Sequence, residues 1–169
     1  FVNSTPPGVG LSASGREEAR ILGSLVADDS IDVGFSSRLR RTQETLELAL
    51  AGRPVPRVVE PRLDEIGFGS FEGGSLAVYR QWAWENEPGA PCPGGGESRT
   101  EAALRFARAL SALLARPEQT ALVVSHDPRS TEIADRVVHI RDGRVSEERR
   151  HDIDAVVVGK APDFFEGVM

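Results

Sequence analysis

The 169-residue chain predicts an α/β sandwich with a mainly parallel central sheet. Capping-type sequences open amphipathic stretches at Ser14 and Ser98, short apolar β-branched runs lie between such stretches, and Gly- and Pro-rich segments mark the joins. The length suits one domain, and a hydrophobic content of 40% is enough for a core.

Taken in order, Ser14-Gly15-Arg16-Glu17 has capping-box spacing, and Ala19, Leu22, Leu25 and Val26 follow on one face, predicting a helix over about residues 15–28. Asp32 to Ser36 reads as a short strand. Arg38 to Ala51 reads as a second helix with Leu39, Leu46, Ala49 and Leu50 as its apolar stripe, stopped by Gly52 and Pro54. Arg57 to Glu60 is a brief strand. Residues 61–74 are punctuated by Gly67, Gly69, Gly73 and Gly74 and read as irregular. Ser75 to Glu85 reads as a helix with Tyr79 and Trp82 on one side; these rings and Trp84 either cover a leaving group or pack into the body. A Pro- and Gly-rich loop follows over residues 86–97. Ser98-Arg99-Thr100-Glu101 then repeats the capping-box pattern and opens a helix through Arg116, which ends before Pro117. Thr120 to His126 is an apolar run of buried-strand type.

Composition narrows the function classes. Asp and Glu number 26 against 20 Lys and Arg, so the net charge of −6 argues against a general nucleic-acid binder, and an anionic ligand must be held by a few focused cations. The single cysteine, Cys92, lies in Pro91-Cys92-Pro93 and reads as a loop thiol. It excludes an intrachain disulfide framework and a multi-Cys zinc site, and it fits a cytoplasmic location. No apolar stretch reaches the ~18 residues of a membrane span, and no signal-type segment opens the chain. The chain begins on Phe1 rather than Met, so its start is expected to be processed or cut.

Polar clusters gather at element boundaries. His126 ends a predicted strand, where ligand crevices of open α/β sheets lie, and it reads either as a site residue or as a capping histidine bonded to backbone. Ser36 to Thr45 carries Arg38, Arg40 and Arg41 from a strand end into a helix, a place where backbone N–H groups and guanidinium groups can face an anion. It reads equally as a solvated basic helix start. Leu63 to Gly73 places Glu65 and Glu72 in a Gly-rich loop beside aromatics, whose apolar surroundings can raise a carboxyl pKa into a general acid's range. The bland alternative has Glu72 binding loop backbone and Glu65 facing water. Gly94-Gly95-Gly96-Glu97-Ser98 is a turn leading into a cap.

In order and spacing these clusters resemble the histidine phosphatase superfamily, which includes cofactor-dependent phosphoglycerate mutases and many small phosphomonoesterases. Gly10 to Ala19 is similar to the family's Pro-Leu-Thr-x-x-Gly-x-x-Gln-Ala, and Ser37 to Thr45 to its Ser-Pro-Leu-x-Arg-Ala-x-x-Thr, with Arg38 in place of Pro. Leu63 to Gly73 resembles Leu-x-Glu-x-x-Phe-Gly-x-Trp-Glu-Gly; Gly95-Gly96-Glu97-Ser98 with Arg105 resembles Gly-Gly-Glu-Ser and its helix Arg; and Val124-Ser125-His126 completes the series.

The resemblance implies a three-layer sandwich of the phosphoglycerate mutase type over residues 1–126, incomplete at its first strand and atypical after residue 126. It implies that Arg41 and His126 contact the phosphoryl oxygens, that Asn3 shares in substrate binding, and that Glu65 protonates the leaving oxygen. It implies no metal or other cofactor, and a small phosphorylated substrate as partner, without nucleic acid or membrane insertion. The family's nucleophile is the histidine of an Arg-His-Gly motif on its first strand, and that triplet does not occur in the 169 residues. His139 and His151 stand in no motif that replaces it and read as structural or exposed.

From about residue 122 a second resemblance begins. Ser125-His126-Asp127 and Ala134-Asp135-Arg136 through Arg141-Asp142-Gly143-Arg144 are similar to the end of ABC transporter ATPase domains, where His126 would sense a nucleotide phosphate. Walker A, signature and Walker B sequences are absent from the chain, so this similarity alone implies no ATP site. Residues 127–169 are expected to form an extension packed on the same domain: helix, strand, an Asp142-Gly143 turn, strand, and the apolar run Ala155 to Val158.

Overall fold

The computed structural model describes residues 2–125, 134, 136–141, 144–149 and 156–159. Strands β1 (Val33–Ser36), β2 (Arg57–Val59), β3 (Ala121–Val124), β4 (Arg136–Arg141), β5 (Arg144–Arg149) and β6 (Val156–Gly159) form one sheet in the order β2-β1-β3-β6-β4-β5. Every neighbouring pair is parallel except the β4–β5 pair, which runs antiparallel from Arg136↔Arg149 to Arg141↔Arg144. The chain thus has the α/β fold and mainly parallel sheet that its alternating pattern predicts.

Alternation along the strands sorts side chains to two faces. On one, Leu122, Val124 and Val138 pack with Leu22 and Val26 from the region of α1 (Ala13–Leu25) and with Leu46, Ala49 and Leu50 from the region of α2 (Arg40–Ala49). On the other, Val33, Phe35, Val123 and Val137 pack with Phe106, Ala109 and Leu110 of α4 (Arg99–Leu114). Helices on both faces make three layers. Gly23 lets α1 approach α2, since a Cβ there would lie 2.9 Å from the Ala49 carbonyl oxygen.

Local signals hold to different degrees. The Ser98–Glu101 capping box is present in full: the Ser98 hydroxyl accepts from Glu101 N, and the Glu101 carboxylate accepts from Ser98 N at 2.9 Å. The Ser14–Glu17 box is not. α1 starts at Ala13 because Ser12 lies two residues earlier and its Oγ accepts from Gly15 N, while Ser14 Oγ only hydrogen-bonds Ser12 Oγ and Glu17 pairs with Arg20 on the surface. Leu39 precedes α2 rather than lying within it, yet is buried.

Residues 61–74 contain two 3₁₀ turns, Pro61–Leu63 and Gly69–Phe71. The loop is anchored by a third apolar cluster in which Val2, Phe68 and Cys92 pack with Tyr79 and Ala83 of α3 (Leu76–Glu85). Cys92 is therefore a buried thiol, and burial raises its pKa. Tyr79 and Trp82 do share a side of α3, with ring centroids 6.1 Å apart, whereas Trp84 is 85% exposed.

The stretches expected as strands after residue 135 are strands, and β6 lies between β3 and β4, hydrogen-bonded to both. Arg136 ties β4 to the body by pairing with Asp29 and donating to the Leu25 carbonyl. His139 is half-buried within β4. The helix expected after His126, the Asp142-Gly143 turn and His151 lie outside the described residues.

Candidate functional site

Loops leaving the carboxyl ends of β1 and β2 meet the N-terminal segment at the start of α2. Ser37 turns the chain out of β1: its Oγ accepts from Leu39 N at 3.3 Å and hydrogen-bonds Thr42 Oγ1 at 2.8 Å. The N–H of Arg40, at the start of α2, donates to the Pro7 carbonyl at 2.7 Å. This N–H, one of those the sequence places at the helix start, is thus capped by the chain itself.

Arg41 stands in the first turn of α2 and is 17% exposed. Its Nη2 donates to the Asn3 carbonyl at 3.0 Å and to Glu65 Oε2 at 2.8 Å, and its Nη1 lies 3.5 Å from Asn3 Oδ1. Three of the four residues expected at the site therefore converge on one guanidinium. The fourth, His126, lies outside the described residues; Ser125, just before it, is buried. Glu65 does not simply face water, because its carboxylate is paired with Arg41.

Each arginine of the basic cluster has its own carboxylate. Arg38 Nε donates to Asp64 Oδ2 at 2.6 Å while the Arg38 N–H donates to Asp64 Oδ1 at 2.7 Å. Arg40 Nε donates to Glu44 Oε1 at 2.8 Å, and Arg16 pairs with the same carboxylate. Three positive charges within four residues thus sit at a helix start, each offset by a carboxylate.

Two groups fix the site from behind. Arg105, projecting from α4, meets Glu97 through two parallel hydrogen bonds of 2.7 Å and donates through Nη1 to the carbonyls of Arg62 and Asp64, both at 2.8 Å. Its Nη2 reaches the Glu65 carbonyl at 3.4 Å. Glu97 Oε2 also accepts from Gly67 N at 3.1 Å. The backbone of residues 62–67 is clamped by the Glu97–Arg105 pair, and its carboxylates at 64 and 65 hold Arg38 and Arg41.

Glu72 holds the opposite wall. Its Oε1 accepts from Ser4 N at 2.8 Å and Thr5 N at 3.1 Å, and its Oε2 from Ser4 Oγ at 2.8 Å. Burial pushes its carboxyl pKa up, but the Ser4 hydroxyl and the Ser4 and Thr5 N–H groups outweigh that, leaving the pKa below the ordinary glutamate value. Glu72 therefore binds loop backbone, as the blander sequence reading had it, and the loop it binds carries Asn3. Gly8 completes this wall with a left-handed φ of +61°; a Cβ there would lie 2.5 Å from Asn3 Oδ1. Neither Ser4 nor Gly8 is marked as a site residue in the sequence, because neither carries a charge or stands in the quoted motifs. Among the described residues no three His, Cys, Asp or Glu side chains group as a metal site, and no helix is long and apolar enough to cross a membrane.

Comparison with known proteins places these features in a family. The model of the histidine phosphatase superfamily (branch 1) matches residues 4–158, and so extends past residue 126, the expected end of the sequence resemblance to that family. The 2,3-bisphosphoglycerate-dependent phosphoglycerate mutase 2 of Gloeobacter violaceus is 37% identical over 112 residues, 59% of this chain and 50% of that protein. The adenosylcobalamin/α-ribazole phosphatase of Escherichia coli is 31% identical over 125 residues, 69% of this chain and 61% of that protein. The chain thus spans about half to three-fifths of these two relatives. The crystal structure of the α-ribazole phosphatase from Shigella flexneri superposes with a TM-score of 0.66 at 24% identity, covering 92% of this chain and 89% of that one, and shows the shared fold. The protein belongs to the histidine phosphatase superfamily, branch 1.

Proposed function

We propose that the protein binds the phosphoryl group of a small phosphomonoester at Arg41 and serves metal-independent phosphomonoester hydrolysis through a phosphohistidine. The carrying observation is the convergence of Asn3, Arg41 and Glu65 at the start of α2, with Arg41 Nη2 2.8 Å from Glu65 Oε2. In this reading Arg41 and His126 neutralise the phosphoryl oxygens, Asn3 orients Arg41 and contacts the substrate, and Glu65 supplies the proton to the leaving oxygen. The 169 residues contain no Arg-His-Gly, so by themselves they are proposed to bind the phosphoryl group without turning it over.

Hydrolysis of 4-nitrophenyl phosphate in the presence of a chelator tests this on the 169-residue chain and on its whole gene product. Turnover by the latter that survives unchanged in Glu65→Gln and His126→Ala would sink the assigned roles. Likeness to a phosphoglycerate mutase keeps phosphoryl transfer between substrate oxygens as a second reading, distinguished by movement of labelled phosphate to a second acceptor rather than to water. A non-catalytic phosphate-binding module is the third reading, favoured by the absent triplet and supported if calorimetry detects phosphate binding where no labelled phosphoenzyme forms.

A further inference from the structure

We propose that the β5 edge of the sheet is a self-association surface: Arg144–Arg149 pairs antiparallel with the same strand of a second copy of this chain, with Ser146 on the two-fold axis. The sheet has two edges, and they differ. β2 is three residues long and is bracketed by Pro56 and Pro61, so it offers a short row of backbone groups between residues that disfavour strand pairing. β5 is six residues long, contains no Pro or Gly, and among the described residues pairs with β4 alone. An edge of that length is a template for one more strand.

The sequence of β5 selects the occupant. Hydrogen-bonded and non-hydrogen-bonded positions alternate along an antiparallel pair, so a two-fold axis relating two copies of one strand must pass through a residue that stands opposite its own copy. Two centres give the longest overlap within β5. Centring on Glu147 spans residues 145–149 and sets Glu147 against Glu147, a like-charge pair on the axis. Centring on Ser146 spans residues 144–148, sets Ser146 against Ser146, and places Arg144 of each copy opposite Glu148 of the other. Within the chain, β4 sets Arg141 opposite Arg144. The Ser146 register therefore answers a like-charge pair on the inner side of β5 with an opposite charge on its outer side.

Helix α1 gives the same edge an apolar flank. Successive residues of a helix are about 100° apart, so Ile21 and Gly23 lie on opposite flanks of Leu22, which is buried in the core. The Gly23 flank lies against Ala49 of α2. α2 lies over β1, β2 and β3, whereas α1 contacts β5, so the Ile21 flank is the one turned toward the β5 edge. Ile21 and Leu25, one turn apart on that flank, are each 40% exposed. Antiparallel pairing about a two-fold axis perpendicular to the sheet keeps both copies of α1 on one face and brings these flanks toward each other, where burial of Ile21 and Leu25 adds to the pairing.

Sedimentation equilibrium on the full 169-residue chain tests the proposal and is expected to show a monomer–dimer equilibrium that weakens as salt is raised. Arg144→Glu and Glu148→Arg should each weaken dimerisation by about 10-fold, because each sets two like-charge pairs across the edge. An equimolar mixture of the two variants regains both opposite-charge pairs and should form a heterodimer with wild-type affinity, which neither a damaged fold nor contact through another surface would produce. Ile21→Lys, at its half-exposed helical position, should also weaken dimerisation, and it decides the matter if a strand variant fails to fold by circular dichroism. A chain that stays monomeric at every concentration, a dimer whose affinity these changes leave unaltered, or charge variants that do not recover on mixing overturns the proposal. Each of these outcomes leaves phosphoryl binding at Arg41 standing.

Discussion

Arg41 and Glu65 form an ion pair, Nη2 to Oε2 at 2.8 Å, between a helix start and a loop 24 residues further along the chain. The pair has a chemical consequence. If Arg41 takes a phosphoryl oxygen as proposed, its guanidinium must exchange the Glu65 carboxylate for it at least in part, so that carboxylate and substrate would compete for Arg41.

Glu65→Gln removes the competing charge. Inorganic phosphate is expected to bind about 2- to 5-fold more tightly to this variant, the worth of a partly exposed ion pair. Arg41→Ala should weaken phosphate by at least about 10-fold. Calorimetry measures both, and weaker phosphate binding in Glu65→Gln would contradict the competition.

Glu72→Ala releases three donors from Ser4 and Thr5 and frees the segment that carries Asn3. A loss of about 1–3 kcal/mol in urea unfolding is expected, together with weaker phosphate binding. Glu72→Gln, which keeps one accepting oxygen, should recover part of both.

The same residue predicts a pH dependence. The Glu72 pKa is lowered in the folded protein, so the unfolded chain takes up the proton first as pH falls. Its stabilisation is present above the ordinary carboxyl range and is lost as pH drops through the lowered folded value. Thermal melts from pH 6 to pH 3 should show stability falling, with a shallower fall in Glu72→Gln; equal slopes would count against the linkage.

Arg105→Ala removes the guanidinium that pairs with Glu97 and uncaps the carbonyls of Arg62 and Asp64. A destabilisation of roughly 2–4 kcal/mol is expected from urea midpoints. Phe106→Ala, in the core beneath the sheet, should cost about 3–5 kcal/mol, whereas Trp84→Ala should change stability by less than about 0.5 kcal/mol.

Much of the architecture can be read from consecutive residues. Short apolar runs at Val33 to Phe35 and Leu122 to Val124, the Ser98 to Glu101 cap and the Gly-punctuated loop are local patterns, and each reports its own element. The helix is capped by Ser12, two residues before the Ser14 that the spacing predicts, because two serines compete for one cap and only backbone geometry chooses between them.

By itself the sequence determined the α/β class and the order of elements, since hydrophobic period and caps are written along the chain, while the candidacy of Asn3, Arg41, Glu65 and His126 came from the resemblance of its motifs to a family. Only the tertiary structure decided that Arg41 is held by Asn3 and Glu65, that Glu72 grips Ser4 across 68 residues, that Arg105 clamps the backbone behind the acids, and that β6 lies between β3 and β4. Such partners meet through space, and a charged side chain's choice among several opposite charges depends on which of them the packed sheet and helices bring within about 3 Å.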